Sequence, residues 1–346
     1  MRKLYEIAQF SIKGGKKGAH EKNGDCCVFI DSGDCVFMAL SDGVGTCVDD
    51  ARASRTVCDM LAEFCGKAIQ AKQQLTESSL AQFCTEIDTA LWKAGDKACL
   101  SAIVWYPDQN ELRFLNVGDT RIYKWNVKEG LTQMTEDDHG KAVVVKINGK
   151  IHTVNGTAVM SFPIDRAIGD RKNKYHCGRL CLEEGECLIL SSDGMYNSDT
   201  FKWQVQELAK SISMSEVAQN LTTTDDDDAS LLILRRNIKL ESSFSISKIM
   251  EDYDQGERAL PDNAVIDGIV MALTNMVETG ENATASKTIV EFAHRQQLYP
   301  KKEIVIDLLE TVAKRYDQLE DSEKKKDYYV LYSALYDLLS LVAAKV

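Results

Sequence analysis

The chain has 346 residues, a length typical of about two domains. It carries 41 Lys and Arg against 53 Asp and Glu, a net charge of −12, whereas proteins that mainly bind nucleic acid usually have a basic surface. A hydrophobic content of 44% with only 4 Pro and 21 Gly excludes a disordered or collagen-like chain.

The cysteines and the N-terminal residues indicate the compartment. Eleven cysteines are an odd number, and the chain is much longer than a small domain held together by disulfides. No long apolar segment follows the basic residues near Met1, and no apolar run approaches the ~18 residues of a membrane-spanning helix. We therefore expect a cytoplasmic protein with reduced thiols and no membrane partner.

The first two thirds of the chain predict a mixed α and β unit. Apolar runs rich in Val, Ile, Phe and Cys and bounded by Gly, Asp or Asn predict strands. Apolar residues three and four apart predict helices, and Asn148-Gly149 predicts a tight hairpin turn. In chain order the strands are 26–30 and 35–40, the helices 50–70 and 76–94, the strands 100–106, 112–117 and 121–125, the hairpin 142–154, and the strands 187–190 and 230–234.

The chain changes character after Arg236. We expect a mixed α and β domain over residues 1–240, a polar linker over 241–260 and a helical bundle over 261–346. The bundle helices are predicted at 262–278, 286–297, 301–319 and 322–344. The last has an apolar stripe of Tyr328, Leu331, Tyr332, Leu335, Leu338, Leu339 and Val342.

Aspartates lie at the ends of several predicted strands. Three apolar runs lead into an aspartate beside a glycine, and two others follow acidic residues: these aspartates are Asp42, Asp119 and Asp193, then Asp25 and the run 225–228. Taken singly, each is typical of a turn. Taken together at one rim of a sheet, they would repel one another unless cations were present. Oxygen ligands without His or Cys suit Mg²⁺ or Mn²⁺.

The order and spacing of seven motifs resemble the metal-dependent protein phosphatases of the type-2C superfamily, particularly the bacterial members. The resemblance covers residues 5–237. Its motifs are Asn23-Gly24-Asp25, Ser41-Asp42-Gly43-Val44-Gly45, Gly118-Asp119-Thr120-Arg121, Thr135-Glu136-Asp137-Asp138-His139, Arg166-Ala167-Ile168-Gly169, Ser192-Asp193-Gly194 and Asp227-Asp228-Ala229-Ser230.

The resemblance implies an α+β fold: a two-sheet antiparallel β-sandwich flanked by helices (α-β-β-α), with an all-α C-terminal domain. It also implies a serine/threonine phosphoprotein phosphatase. Water activated by two Mn²⁺ or Mg²⁺ ions would attack the phosphomonoester directly, without a phosphoenzyme. The implied ligands are Asp42 bridging both ions, the Gly43 carbonyl at the second, Asp193 and Asp227 at the first, Asp25 supporting the second, and Asp119 for a third, weaker ion.

Two departures from the family pattern leave alternatives open. Gly24 stands where many relatives have a glutamate that supports the second metal. His20 stands where relatives usually place a phosphate-binding arginine, so His20 is either a catalytic phosphate contact or an ordinary loop histidine. Lys16 or Lys17 could replace that arginine instead. The alternative function is a catalytically weak pseudophosphatase that serves as a binding or regulatory module.

Several other expectations concern partners and single residues. The expected partners are a phosphorylated Ser/Thr protein and a cognate kinase in a signalling pathway, with no nucleic acid. The C-terminal helices would mediate docking or dimerisation, or would simply cover one face of the sandwich. Arg166 is expected to form a structural ion pair and His139 to be structural, whereas His152 and His176 are expected to be surface or packing residues.

Overall fold

The computed structural model divides into two compact units, residues 1–209 with 213–237 and residues 210–212 with 238–346. No described helix is both long enough and apolar enough to cross a membrane. All eleven cysteines are free thiols. The structure describes residues 4–15, 17–18, 21–144, 146–147, 150–151, 153–154, 157–158, 160–161, 163–211, 214–224, 226–237, 246–256, 260–319 and 322–344.

The first unit contains two five-stranded antiparallel sheets, which confirms the predicted sandwich. Their strands are β1 (Tyr5–Ile12), β2 (Asp25–Asp31), β3 (Val36–Gly43), β4 (Ala98–Tyr106), β5 (Glu111–Val117), β6 (Arg121–Asn126), β7 (Gly130–Gln133), β14 (His176–Leu180), β15 (Cys187–Ser191) and β16 (Ala229–Arg236). One sheet has the order β1-β16-β15-β6-β7 and the other β14-β5-β4-β3-β2.

The core between the two sheets explains the continuous apolar runs in the sequence. Alternate residues of β3 point to opposite faces, so Met38 and Leu40 pack between the sheets whereas Phe37 and Ala39 pack beneath the helices. The strand is therefore buried on both faces. Trp105 of β4 lies in the inter-sheet core. The strands β1, β7 and β14 were not predicted, because each is short or partly exposed and lacks such a run.

Helices cover the outer face of each sheet. Helix α1 begins after Asp49, whose side chain accepts from the backbone of Arg52. Helix α2 is capped by Thr76 and ends at Gly95 in the left-handed conformation. Both predicted helices are confirmed, whereas three shorter ones were not predicted. The helices are α1 (Asp50–Gln70), α2 (Glu77–Ala94), α3 (Asp193–Tyr196), α4 (Phe201–Lys210) and α5 (Met214–Ala218), with a 3₁₀ turn at Pro107–Gln109.

A series of short paired strands separates β7 from β14. Lys146–Ile147 pairs with Lys150–Ile151 as the predicted hairpin requires, but the Asn148-Gly149 turn lies outside the described residues. Where this segment leaves and rejoins the sandwich, His139 forms a β-bridge with Ile164, and the Gly140 amide donates to Pro163 O at 2.7 Å. The short strands are β8 (Val143–Val144), β9 (Lys146–Ile147), β10 (Lys150–Ile151), β11 (Thr153–Val154), β12 (Thr157–Ala158) and β13 (Met160–Ser161).

The described part of the second unit is helical, and its own apolar core is centred on residues such as Leu331, Leu335 and Phe292. A helix lies inside the segment predicted as a linker, and Tyr253 from that helix packs edge-on against Phe292. In the predicted stripe, Tyr332 is 42% exposed. The helices are α6 (Ile246–Asp254), α7 (Asp262–Thr279), α8 (Ala285–Gln296), α9 (Lys302–Gln318) and α10 (Ser322–Ala343).

Candidate active site

The β2–β3 hairpin brings two of the predicted metal ligands together. Asp25 begins β2 and is the register partner of Asp42 near the end of β3. Ser192, which follows β15 in the other sheet, donates from Oγ to Asp25 Oδ2 at 2.7 Å. The second carboxylate oxygen of Asp25, Oδ1, is buried, and no described residue forms a hydrogen bond with it. The Asp25 carboxylate thus links the ends of the two sheets.

Burial and neighbouring carboxylates shift the protonation of Asp25. Removal from water raises its pKa from 3.8 to about 8, and the negative charges of Asp228 and Asp193 act in the same direction. Hydrogen bonds from Ser192 and Ser230 oppose the rise. The site therefore favours either a proton or a cation at Asp25.

All the other predicted carboxylate ligands act electrostatically on Asp42. Desolvation raises the pKa of the Asp42 carboxyl well above its ordinary value, and nearby negative charges raise it further. Those charges belong to Asp25, Asp193, Asp119 and Asp227. Four of the acidic residues that the sequence singled out therefore lie near enough to Asp42 for their charges to raise its pKa.

The backbone at Gly43 lies tightly against the start of α1. A Cβ atom at this position would lie 2.0 Å from the carbonyl oxygen of Asp50, closer than non-bonded atoms approach. The Gly43 amide donates to Gly24 O at 3.0 Å. Only a residue without a side chain fits here, which fixes the position of the Gly43 carbonyl that was predicted as a ligand.

Asp228 and Lys17 form an ion pair that the sequence analysis did not predict. Asp228 accepts from the amides of Gly14 at 2.8 Å and Gly24 at 2.6 Å. The Lys17 ammonium lies 2.5 Å from Asp228 Oδ2 and 2.6 Å from Asp50 Oδ2. Burial opposes the charge of Lys17, but hydrogen bonds to Asp228 and Asp50 raise its pKa above the ordinary value. The signal in the sequence was the aspartate run, in which only Asp227 had been given a role.

Another buried carboxylate supports the Gly118-Asp119 turn. Asp138 Oδ2 accepts from the Gly118 amide at 3.1 Å, and the Asp138 amide donates to Gly118 O at 2.9 Å. Arg166 pairs with Asp138, which confirms the predicted structural ion pair. His176 Nε2 lies 2.8 Å from Asp138 Oδ1, so His176 belongs to this network rather than to the general surface.

Aromatic and basic side chains lie beside Asp119. The Tyr196 hydroxyl donates to the Asp119 carbonyl at 3.0 Å, and the Arg121 guanidinium stacks on the Tyr196 ring at 3.6 Å. His139 Nε2 lies 3.6 Å from Asp119 Oδ2. Burial, followed by the charge of Asp119, raises the pKa of Tyr196, which keeps its hydroxyl a hydrogen-bond donor. His139 was expected to be a structural residue, but its imidazole lies close to Asp119, a predicted metal ligand.

The predicted ligand atoms are of the chemical type that a hard divalent cation prefers. They are carboxylate and carbonyl oxygens, and the buried Oδ1 of Asp25 has no hydrogen-bond partner among the described residues. These atoms do not form a ready metal site. Within the described ranges, no three His, Cys, Asp or Glu side chains lie close enough together to hold a metal ion. Residues His20, Lys16 and His152 lie outside the described residues.

Comparison with solved structures identifies the fold. No protein-family model and no curated protein matches the sequence. A bacterial serine phosphatase is 18% identical over 68% of this chain and 99% of its own, with a TM-score of 0.52. A variant of a bacterial serine phosphatase, with one arginine replaced by alanine, is 17% identical over 67% of this chain and 98% of its own, with a TM-score of 0.50. The first unit therefore has the fold of bacterial serine phosphatases, as the motifs predicted.

Proposed function

We propose that the chain is a metal-dependent serine/threonine phosphoprotein phosphatase, a phosphoric monoester hydrolase that transfers the phosphoryl group directly to water. The observation that carries this proposal is the convergence on Asp42 of the charges of Asp25, Asp119, Asp193 and Asp227. A cluster of this kind is unfavourable unless cations or protons neutralise it. The shared fold with bacterial serine phosphatases supports the same reaction class.

The proposed cofactors are two Mn²⁺ or Mg²⁺ ions, with a third and weaker ion at Asp119. When bound, they supply an acidified water and offset the charge on the phosphoryl oxygens. Asp42 would hold both ions, Asp193 and Asp227 the first, and the Gly43 carbonyl and Asp25 the second. The chain's own contribution is positional, because Ser192 orients Asp25 and the close packing at Gly43 fixes the carbonyl.

Hydrolysis of p-nitrophenyl phosphate and of a phosphoserine peptide tests the proposal. We expect turnover that requires Mn²⁺, stops with EDTA and is lost in Asp42→Asn. Asp34→Asn is the matched control, because Asp34 is exposed in the turn at the opposite end of the β2–β3 hairpin. Wild-type protein that hydrolyses neither substrate at excess Mn²⁺ would refute the proposal.

A pseudophosphatase is the second candidate, and one feature of the site favours it. Position 24 carries no carboxylate, and the space beside it is occupied: a Cβ at Gly24 would lie 2.9 Å from the Lys17 ammonium. A phosphopeptide that binds the wild-type protein in EDTA and remains intact with Mn²⁺ would establish this function instead. Hydrolysis of the bound peptide would exclude it.

The remaining expectations stay predictions. These are the cytoplasmic location, the cognate kinase, the catalytic contact at His20, the domain bounds 1–240, 241–260 and 261–346, and docking or dimerisation through the helical unit.

Dimerisation through the helical unit can be examined on helix α10, which has an exposed aromatic surface at Tyr329, Tyr332 and Tyr336. Replacing the three with Ser and measuring sedimentation of the full chain tests dimerisation.

A further inference from the structure

Lys17 is placed unlike a phosphate-binding residue. Its ammonium has three N–H donors, and three protein acceptors surround it: Asp228 Oδ2 at 2.5 Å, Asp50 Oδ2 at 2.6 Å and the carbonyl of Lys22 at 3.2 Å. The side chain is only 19% exposed. Because an ammonium has no further donors, none is left to bind a phosphate oxygen while these contacts hold.

The acceptors of Lys17 connect it to the backbone beside the predicted ligands. Asp228 also accepts from the amides of Gly14 and Gly24, so its carboxylate holds both ends of the loop that contains Lys17. The Gly24 carbonyl in turn accepts from the Gly43 amide. One chain of contacts therefore runs from the ammonium to the peptide that follows Asp42.

The charges make this arrangement dependent on the ammonium. Asp228 is 5% exposed and Asp50 is 30% exposed, and both present an oxygen to the same nitrogen. Without the positive charge, the two carboxylate oxygens would face each other with no cation between them. Asp228 would then turn away and release the glycine amides.

We propose that Lys17 is a positioning residue, a tethered cation that holds Asp228 against Gly14 and Gly24 and thereby fixes the Gly43 backbone. Gly24 and Lys17 are then complementary features. The ammonium occupies the space that a side chain at position 24 would need, since a Cβ there would meet Lys17 Nζ, Asp228 Oδ2 and Asp50 Oδ2 at 2.9–3.0 Å. The positioning role stands on the contacts alone, and only its kinetic consequence rests on the proposed phosphatase function.

Hydrogen exchange of the full chain, followed by mass spectrometry, tests the proposal without metal or substrate. In Lys17→Met we expect peptides covering residues 11–25 and 40–47 to exchange at least about tenfold faster, since the amides of Gly14, Gly24 and Gly43 lose their fixed acceptors. Lys17→Arg, which keeps the charge, should recover part of the protection. Lys22→Met is the control, because it removes an equal charge from an exposed side chain in the same loop. Asp50→Asn is a milder second variant, expected to change exchange in the same direction, for use if Lys17→Met does not fold.

Kinetics separate positioning from phosphate binding. A positioning residue lowers kcat, here by about tenfold in Lys17→Met, and leaves KM for p-nitrophenyl phosphate within about twofold. Unchanged exchange in both Lys17→Met and Asp50→Asn overturns the proposal, and so does a raised KM with unchanged kcat. If the wild-type protein has no activity, the phosphatase proposal fails, and the exchange data still decide the role of Lys17.

Discussion

Replacing Asp25 with Asn tests the electrostatic description of the site without any assay of activity. The Asp25 carboxyl has a pKa of about 8 in the folded protein against an ordinary 3.8. Between these values the folded protein holds a proton that the unfolded chain releases, so stability falls as pH rises through this window. At ~1.4 kcal/mol per pH unit, the Asp25 carboxyl lowers the free energy of unfolding at pH 7 by about 4 kcal/mol relative to low pH.

The asparagine variant removes that penalty but introduces a smaller one. Its amide oxygen can still accept from Ser192, whereas its NH₂ group replaces the buried Oδ1 and needs an acceptor. A buried donor without a partner costs about 1–3 kcal/mol. We therefore expect the metal-free variant to be more stable than wild type by about 1–3 kcal/mol at pH 7. Near pH 4 the order reverses and the variant is less stable by about 1–3 kcal/mol, because wild type then has almost no titration penalty while the unpartnered amide remains.

Urea unfolding in EDTA from pH 4 to pH 8.5 measures this difference. Asp34→Asn, at the exposed end of the same hairpin, is the control for removing one acidic charge. Added Mn²⁺ should stabilise wild type more than the Asp25→Asn variant, since only wild type offers this carboxylate. If Asp25→Asn is no more stable than wild type at pH 7, and wild-type stability does not fall between pH 4 and pH 8, the description of Asp25 is wrong.

Three further predictions concern the site and the helical unit. Asp42→Asn should lower kcat with Mn²⁺ at least ~100-fold, because it removes the proposed bridging ligand; activity within tenfold of wild type would show that the site is misassigned. Gly43→Ala should destabilise the first unit by about 3 kcal/mol in urea unfolding, since its Cβ would lie 2.0 Å from Asp50 O, and Gly45→Ala, with no atom within 4 Å of its Cβ, is the control. Leu335→Ala, at a fully buried position of α10, should destabilise the helical unit by about 2–5 kcal/mol, whereas the exposed Tyr336→Ala should not.

The parts of the fold that sequence could predict are those with a strong apolar pattern. Strand β3 was identified from its continuous apolar run, which reflects burial on both faces, and helix α1 from apolar residues three and four apart. Strand β1 was missed because polar and apolar residues alternate imperfectly along it, and its place depends on pairing with the distant β16. Helix α6 was missed because it is short and lies in a largely polar segment, although Ile246, Ile249, Met250 and Tyr253 are spaced as one helical face against the core.

The sequence indicated the types of ligand at the site, and those assignments stay predictions, but it did not indicate the residues that support them. Aspartates at strand ends are visible in sequence, and the charges of four of them raise the pKa of Asp42. The roles of Asp228, Asp138 and Ser192 were not visible, because each depends on backbone amides or carboxylates from remote segments. Lys17 was considered as a phosphate contact or an ordinary solvated loop lysine, since nothing local indicates that Asp50 and Asp228 lie beside it.

The segment between β7 and β14 has its two ends joined by hydrogen bonds, which affects how freely its length and sequence can change. The Asp165 amide donates to Asp138 O at 2.7 Å and the Gly140 amide donates to Pro163 O, so the chain leaves and re-enters the sandwich at nearly one point. Shortening or lengthening a loop whose ends are already joined changes its closure entropy only slightly, by about 0.6 kcal/mol per doubling. We therefore expect that residues 141–162 can be replaced by a segment of another length and sequence while Asp138 keeps its hydrogen bond to Gly118.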